Sequence, residues 1–330
     1  MSVAAFWLVA VMLTVYVVLD GYDLGVGSIL HLYGRTPRER GAAIASVGPY
    51  ANGNEVWLIA AAGSLFGLFP HAFASAFSGF YLPLMLVLWL FIGRGMALEL
   101  RSHFNNDLWR EFWDWIFALS SALLAIVFGV ALGNLVRGLP VSENAGLFKG
   151  SFSLLLNAYA LAVGVLGLLA LSQHGLRFLN LRLPDGAERR RPLATTLWWS
   201  VLVVFLGVSV ASLLVHPLAG SRLAVSIALG LIALAALSAT KLLGDRGLAG
   251  PAFAASSAYI ASLVVTAAAT IFPYIVPAYG GRGGISIFEQ TPSPVSFGVF
   301  LGVIVVALSA VVAYSIFVQR SLTGPVTQRP

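Results

Sequence analysis

Nine stretches of this chain read as near-continuous apolar runs of span length, and most of its charges lie between them. They fall near residues 3–30, 54–71, 76–98, 114–136, 151–172, 194–215, 222–243, 252–273 and 296–318. A helix needs roughly 20 apolar residues to cross a hydrocarbon layer. Only 10% of the 330 residues are charged, whereas a soluble domain carries roughly 25%. Most of the surface must therefore face lipid. The expected fold class is all-α, a polytopic integral membrane helical bundle of about nine transmembrane helices. Residues 1–330 are read as a single membrane domain, without a separating linker, low-complexity tail or obvious internal repeat. The first run begins close to Met1, lacks a basic leader and a small-residue cleavage site, and is read as a retained helix.

Basic residues give an expected orientation. Arg35, Arg38, Arg40, Arg94, Arg101, Arg110, Arg177, Arg182, Arg189, Arg190, Arg191, Lys241, Arg246, Arg320 and Arg329 fall on one set of alternate segments. Only Arg137, Lys149, Arg222 and Arg282 fall on the other, so 15 of the 19 lie on one side. The positive-inside rule then puts the N-terminus outside and the C-terminus in the cytoplasm. The net charge of +6 is thus a topology signal, and "RLPDGAERRRP" (182–192) is a solvated loop, with no nucleic-acid partner implied. With no cysteine, disulfides and thiolate ligation are excluded.

Against this background "VVLDGYDLGVGSIL" (17–30) is out of place. Asp20 and Asp23, three apart on a helix, share a face. An ionised carboxylate at mid-bilayer costs ~2.5–3.5 kcal/mol. Two readings stand: the pair lies near the interface as caps or arginine partners, or at least one lines a proton or ion path. Gly21, Gly25 and Gly27 favour an interior face, because small residues admit a neighbouring helix.

"GPYANGNEVWLIAAAGSLFGLFP" (48–70) is the second such stretch. Gly48-Pro49 is expected to break the chain. Asn52 and Asn54 would then cap a new helix, with Glu55 in its first turn. Alternatively Glu55, beside Trp57, is desolvated enough to exchange a proton and joins Asp20 and Asp23 in one acidic cluster. In "GRGMALELR" (93–101), Arg94, Glu99 and Arg101 read as snorkelling anchors or as counter-ions for that cluster. Asp114 lies between two interfacial tryptophans, followed by a Gly129–Gly133–Asn134 packing face. His31, His71, His103, His174 and His216 are expected at span ends or in loops without an i, i+4 pair, so no haem or metal site is assigned to this chain.

Taken together, "LDGYDLGVG" (19–27), "GPYANGNEVWLI" (48–59), "FSGFYLPL" (77–84), "RGMALELR" (94–101), "WDW" (113–115) and "GVALGNLVRGLP" (129–140) resemble subunit II of the cytochrome bd-type quinol oxidases. The later half matches in span count and in pieces such as "LLNAYAL" (155–161) and "FPYIVP" (272–277). The resemblance implies a multi-pass protein of the prokaryotic cytoplasmic (inner) membrane. It implies a partner, subunit I, that carries the b- and d-type haems and the quinol-oxidising loop. The complex would oxidise quinol, reduce dioxygen to water with cytoplasmic protons, and so generate proton-motive force without pumping. This chain would bind no haem, support assembly and supply polar groups to a proton route. Its candidates are Asp20, Asp23, Asn52, Asn54 and Glu55, supported by Trp57, Arg94, Glu99, Arg101 and Asp114. A bound quinone or lipid and a small accessory transmembrane subunit stay open. The family commonly has an aspartate where Asn52 stands, and Glu55 is the expected substitute. Ala158 replaces a usual proline, with loss of a kink expected. A proton-coupled secondary transporter is the alternative.

Overall fold

The computed structural model describes residues 1–141, 152–215, 220–279, 283–289 and 293–321. Lys149, His216, Arg282 and Arg329 lie outside the described residues. In chain order the helices are α1 (Ser2–Ser28), α2 (Leu30–Tyr33), α3 (Pro37–Leu68), α4 (Pro70–Gly79), α5 (Tyr81–Leu100), α6 (Asp107–Arg137), α7 (Phe152–Leu155), α8 (Ala158–Arg182), α9 (Arg191–Val215), α10 (Ser221–Asp245), α11 (Ala249–Ile271) and α12 (Pro294–Ser321). Strands β1 (Tyr274–Pro277) and β2 (Gly284–Ser286) pair antiparallel between α11 and α12. Among the described residues, nine helices have 20 or more residues. Eight helices are long and apolar enough to cross a membrane. The ninth, α3, carries Arg38, Glu39, Arg40 and Glu55 as well as two asparagines.

The largest departure from expectation is where α3 begins. Gly48-Pro49 does not break the chain: the helix starts at Pro37 and runs 32 residues, with Pro49 inside it. Its start is set by a capping box, in which the Thr36 side chain accepts from the Glu39 backbone and Glu39 returns to the Thr36 N–H. Asn52 and Glu55 are therefore mid-helix, and the reading of this stretch as an N-cap is overturned. The span expected at 76–98 is two helices, α4 and α5.

The helix expected at 151–172 begins instead at Ala158, capped by the Asn157 side chain, which accepts from the Ala160 N–H. A proline at 158 would occupy the first helical position, where its missing N–H is harmless. No kink is lost there. The same shift moves His174 and Arg177, expected at a span end or in a loop, inside α8.

Helix α1 packs against α3, α6, α8 and α11. Its glycines make that possible. A Cβ on Gly25 would sit 1.8 Å from the Leu171 carbonyl oxygen, and one on Gly175 would sit 2.3 Å from the Val26 nitrogen. Backbones of α1 and α8 thus touch directly, as the glycine spacing predicts. Apolar clusters lie along α1: Phe6 near one end with Leu68 and Ile287, Leu24 with Leu124 and Leu171, and Val26 with Phe117 and Leu176. Large apolar residues such as Trp89, Val203 and Val306 project outward, as expected of a surface solvated by lipid.

Candidate functional site

The buried end of α1 carries two carboxylates that water cannot reach. Asp20 and Asp23 are both fully buried, and so is Arg94, which α5 brings between them. A buried charge needs a partner and hydrogen bonds to offset its lost hydration. The Arg94 Nη2 lies 2.6 Å from Asp20 Oδ1, and Nη1 lies 3.2 Å from Asp20 Oδ2. This is a two-pronged guanidinium–carboxylate pair, the geometry arginine serves best. The Tyr16 hydroxyl donates to Asp20 Oδ2 at 2.9 Å. Tyr16 is one helical turn before Asp20, on the same face of α1.

Asp23 is held differently. Arg94 Nη2 is 3.6 Å from its Oδ2, an ion-pair distance without a hydrogen bond. The Asn54 amide donates to the same oxygen at 2.8 Å and also lies 2.9 Å from the Tyr22 hydroxyl and 3.2 Å from the Leu19 carbonyl. The other oxygen, Oδ1, is buried and has no partner. Glu55 completes the group, its Oε1 3.2 Å from Arg94 Nη1. Its side chain is 33% exposed, so it is the member of the cluster within reach of the outside.

Sequence reasoning left Arg94 as either an anchor or a counter-ion, and the structure makes it the counter-ion. Asn54 joins the cluster, whereas Asn52 is exposed on another side of α3. The family aspartate position therefore does not reach Asp20 or Asp23 in this chain. Trp57 is buried beside Met12, Tyr16, Ala61 and Ile304, walling the site with apolar surface. Tyr16 and Tyr22 were missed, although the i, i+4 spacing of Tyr16 to Asp20 is a readable signal.

Arg101 and Asp114 form a second network, away from the first. Asp114 is fully buried and accepts from Arg101 Nε at 2.5 Å and from Arg40 Nε at 2.8 Å. Arg40 also pairs with Glu111, whose Oε1 is 3.7 Å from His31 Nε2. The His31 ring stacks on Trp115 at 4.0 Å, and desolvation followed by the nearby Arg40 charge lowers its pKa below the ordinary histidine range. Glu99 is exposed and belongs to neither network. Arg40 and His31 read from the sequence as loop or span-end residues and Glu111 drew no notice, and only the folded chain brings the three together.

Cofactor ligation by the described histidines fits poorly. His174 is fully buried, but its Nδ1 is 2.6 Å from the Ser256 hydroxyl and its Nε2 is 3.0 Å from the Val18 carbonyl oxygen. Both ring nitrogens are committed, and Nε2 must donate because a carbonyl only accepts. His71 and His103 are exposed. Among the described residues, no group of three or more His, Asp or Glu is placed to hold a metal ion.

What the first site can do chemically follows from its charge count. Three carboxylates face one guanidinium, so full ionisation would leave two uncompensated negative charges in a medium of low dielectric. Such a cluster favours holding a proton. Glu55 supplies an exposed edge and Asp23 a buried oxygen with a free lone pair.

Comparison with known proteins gives a consistent result. Residues 1–322 match the family described as cytochrome bd terminal oxidase subunit II. The chain is 30% identical over 358 residues to "Cytochrome bd-I ubiquinol oxidase subunit 2" of Escherichia coli strain K12, covering 97% of this chain and 94% of that protein. It is 30% identical over 350 residues to "Probable cytochrome oxidase subunit 2" of Haemophilus influenzae, covering 96% and 93%. A chain of the bd oxidase structure from Geobacillus thermodenitrificans superposes with a TM-score of 0.78 at 17% identity, over 97% of this chain and 98% of that one.

Proposed function

This chain belongs to the cytochrome bd terminal oxidase subunit II family and is a membrane subunit of a quinol:oxygen oxidoreductase; from that premise we propose that its Arg94-centred acidic cluster carries protons toward an oxygen-reducing partner. The partner is subunit I, and the assembly lies in the inner membrane with the end of the bundle that carries the basic loops facing the cytoplasm. The described histidines here are exposed, stacked or doubly hydrogen-bonded, which supports placing the haems in the partner. When bound there, the haems supply electron transfer from quinol to dioxygen.

The work assigned to this chain is proton handling. Glu55, at the exposed edge, takes up a proton. Asp23, whose Oδ1 has no donor on it, receives one in the interior. Arg94 and Tyr16 donate to both oxygens of Asp20, and Asp20 in turn fixes Arg94 between the other two acids. Asn54 orients Asp23 by donating to Oδ2. Trp57 and its neighbours exclude lipid and bulk water from the path. The observation that carries this reading is the excess of three buried or half-buried carboxylates over one arginine.

The test is Glu55→Gln in the assembled oxidase. Positioned proton transfer contributes roughly 10²–10⁴-fold in enzymes, so turnover and proton uptake are expected to fall together by about tenfold or more while the haem spectrum stays intact. Unchanged turnover and uptake reject the route. Family membership displaces the transporter alternative.

A further inference from the structure

Arg177 lies inside α8, five residues before its end, and is only 5% exposed. Among the described residues no hydrogen bond reaches its guanidinium, its Nε is buried without a partner, and no carboxylate comes within ion-pair distance of it. An unpaired buried cation is costly enough that proteins rarely leave one without an anion. The acid whose charge acts on it is Asp245, and that acid is already engaged, with Lys241 Nζ at 2.9 Å and Arg191 Nε at 3.9 Å. Arg191 also lies 3.9 Å from Glu188, whose side chain is 91% exposed and therefore well screened by solvent. Three cations of α8, α9 and α10 thus share one exposed carboxylate.

The surroundings say what kind of anion fits. The cluster sits where three membrane-length helices end. Beside it a surface hollow of about 520 Å³ is lined by Glu188, Arg191, Pro192, Thr195 and Thr196. Below Thr195 on the same face of α9 follow Trp199 and Val203, 54% and 67% exposed, at the four-residue spacing that stacks side chains along one stripe. Charge and hydroxyls above an outward apolar stripe match a phosphate headgroup above its acyl chain. The guanidinium rests against Gly244, where a Cβ would lie 2.1 Å from Nη1. Only glycine at that place leaves room for the guanidinium where it lies.

We infer that Arg177, Lys241 and Arg191 form a binding site for the phosphate headgroup of an anionic phospholipid, between the ends of α8, α9 and α10. Basic pockets between transmembrane helices take such headgroups, and arginine matches phosphate geometry with paired donors. The site is separate from the Arg94 cluster and does not depend on the proton route.

The experiment uses the purified, assembled oxidase stripped of lipid by detergent. Phosphatidylglycerol is added back and binding is read by native mass spectrometry and by the thermal midpoint. Wild type is expected to retain phosphatidylglycerol and to gain thermal stability from it, with little effect of phosphatidylcholine or inorganic phosphate. Arg177→Gln and Gly244→Ala are each expected to weaken that binding by about tenfold, the loss of one or two charge-assisted hydrogen bonds. If Arg177→Gln does not assemble, the partly exposed Lys241→Gln is read in its place, again with weaker phosphatidylglycerol binding expected. Equal binding in the variants overturns the inference, as does an equal response to phosphatidylcholine or to inorganic phosphate. A partner carboxylate within 4 Å of Arg177 in a solved complex overturns it too.

Discussion

Two buried ion networks sit in this bundle, and they differ in their arithmetic. Around Arg94 there are three carboxylates to one arginine. Around Asp114 there are two carboxylates to two arginines, with His31 at the margin. The second is balanced, so each charge has a partner of opposite sign. It ties the start of α3 to the end of α5 and the start of α6. The first is unbalanced, and in the function proposed above its excess acid holds and releases protons. Similar residue types thus build two networks that differ in stoichiometry and not in composition.

Arg94→Gln should break this comparison hardest. Among the described residues it removes the one cation of the acid-rich network, and loss of one partner from a buried ion pair costs about 3–5 kcal/mol. Little assembled complex is expected, read as haem content per membrane protein. Normal assembly would show that the carboxylates are already protonated and need no counter-charge.

Asp114→Asn should be milder and of a different kind. The amide keeps the shape but leaves Arg40 and Arg101 with a neutral acceptor, a loss of about 1–3 kcal/mol. The thermal midpoint should fall while turnover per assembled complex is retained. A fall in turnover matching that of Glu55→Gln would erase the distinction between the two networks.

Acidification should give the smallest effect, through His31. Its folded pKa is lowered, so the unfolded chain binds the proton more readily. Stability on this account is fully present above the ordinary histidine pKa and declines as pH falls through that range. A melt series from neutral to mildly acidic pH checks the sign, and His31→Gln should flatten the slope.

How much of this was readable beforehand varies by residue. Asp20 and Asp23 were legible because a carboxylate among apolar residues stands out at a cost of ~2.5–3.5 kcal/mol. That the glycines of α1 admit a neighbouring helix was legible from spacing, while the identity of that neighbour as α8 came only from the fold. The choice between Asn52 and Asn54 was not, because it depends on the rotational phase of α3 against α1. Two residues along a helix turn a side chain by about 200°, and the phase is set by packing. The true start of α3 was available in the capping-box residues Thr36 and Glu39, but Gly48-Pro49 offered a competing break. Arg40, Glu111 and Asp114 are separated by up to 74 positions, and no local pattern announces that they meet.

Pro49 has a mechanical consequence. Lacking an N–H, it cannot close the helical bond to the Ala45 carbonyl, so one rung of α3 is missing. Arg40 lies before that rung and Asn54 and Glu55 lie after it. The rod joining the two networks therefore lacks one backbone hydrogen bond between them, which makes it easier to bend there than elsewhere along its length.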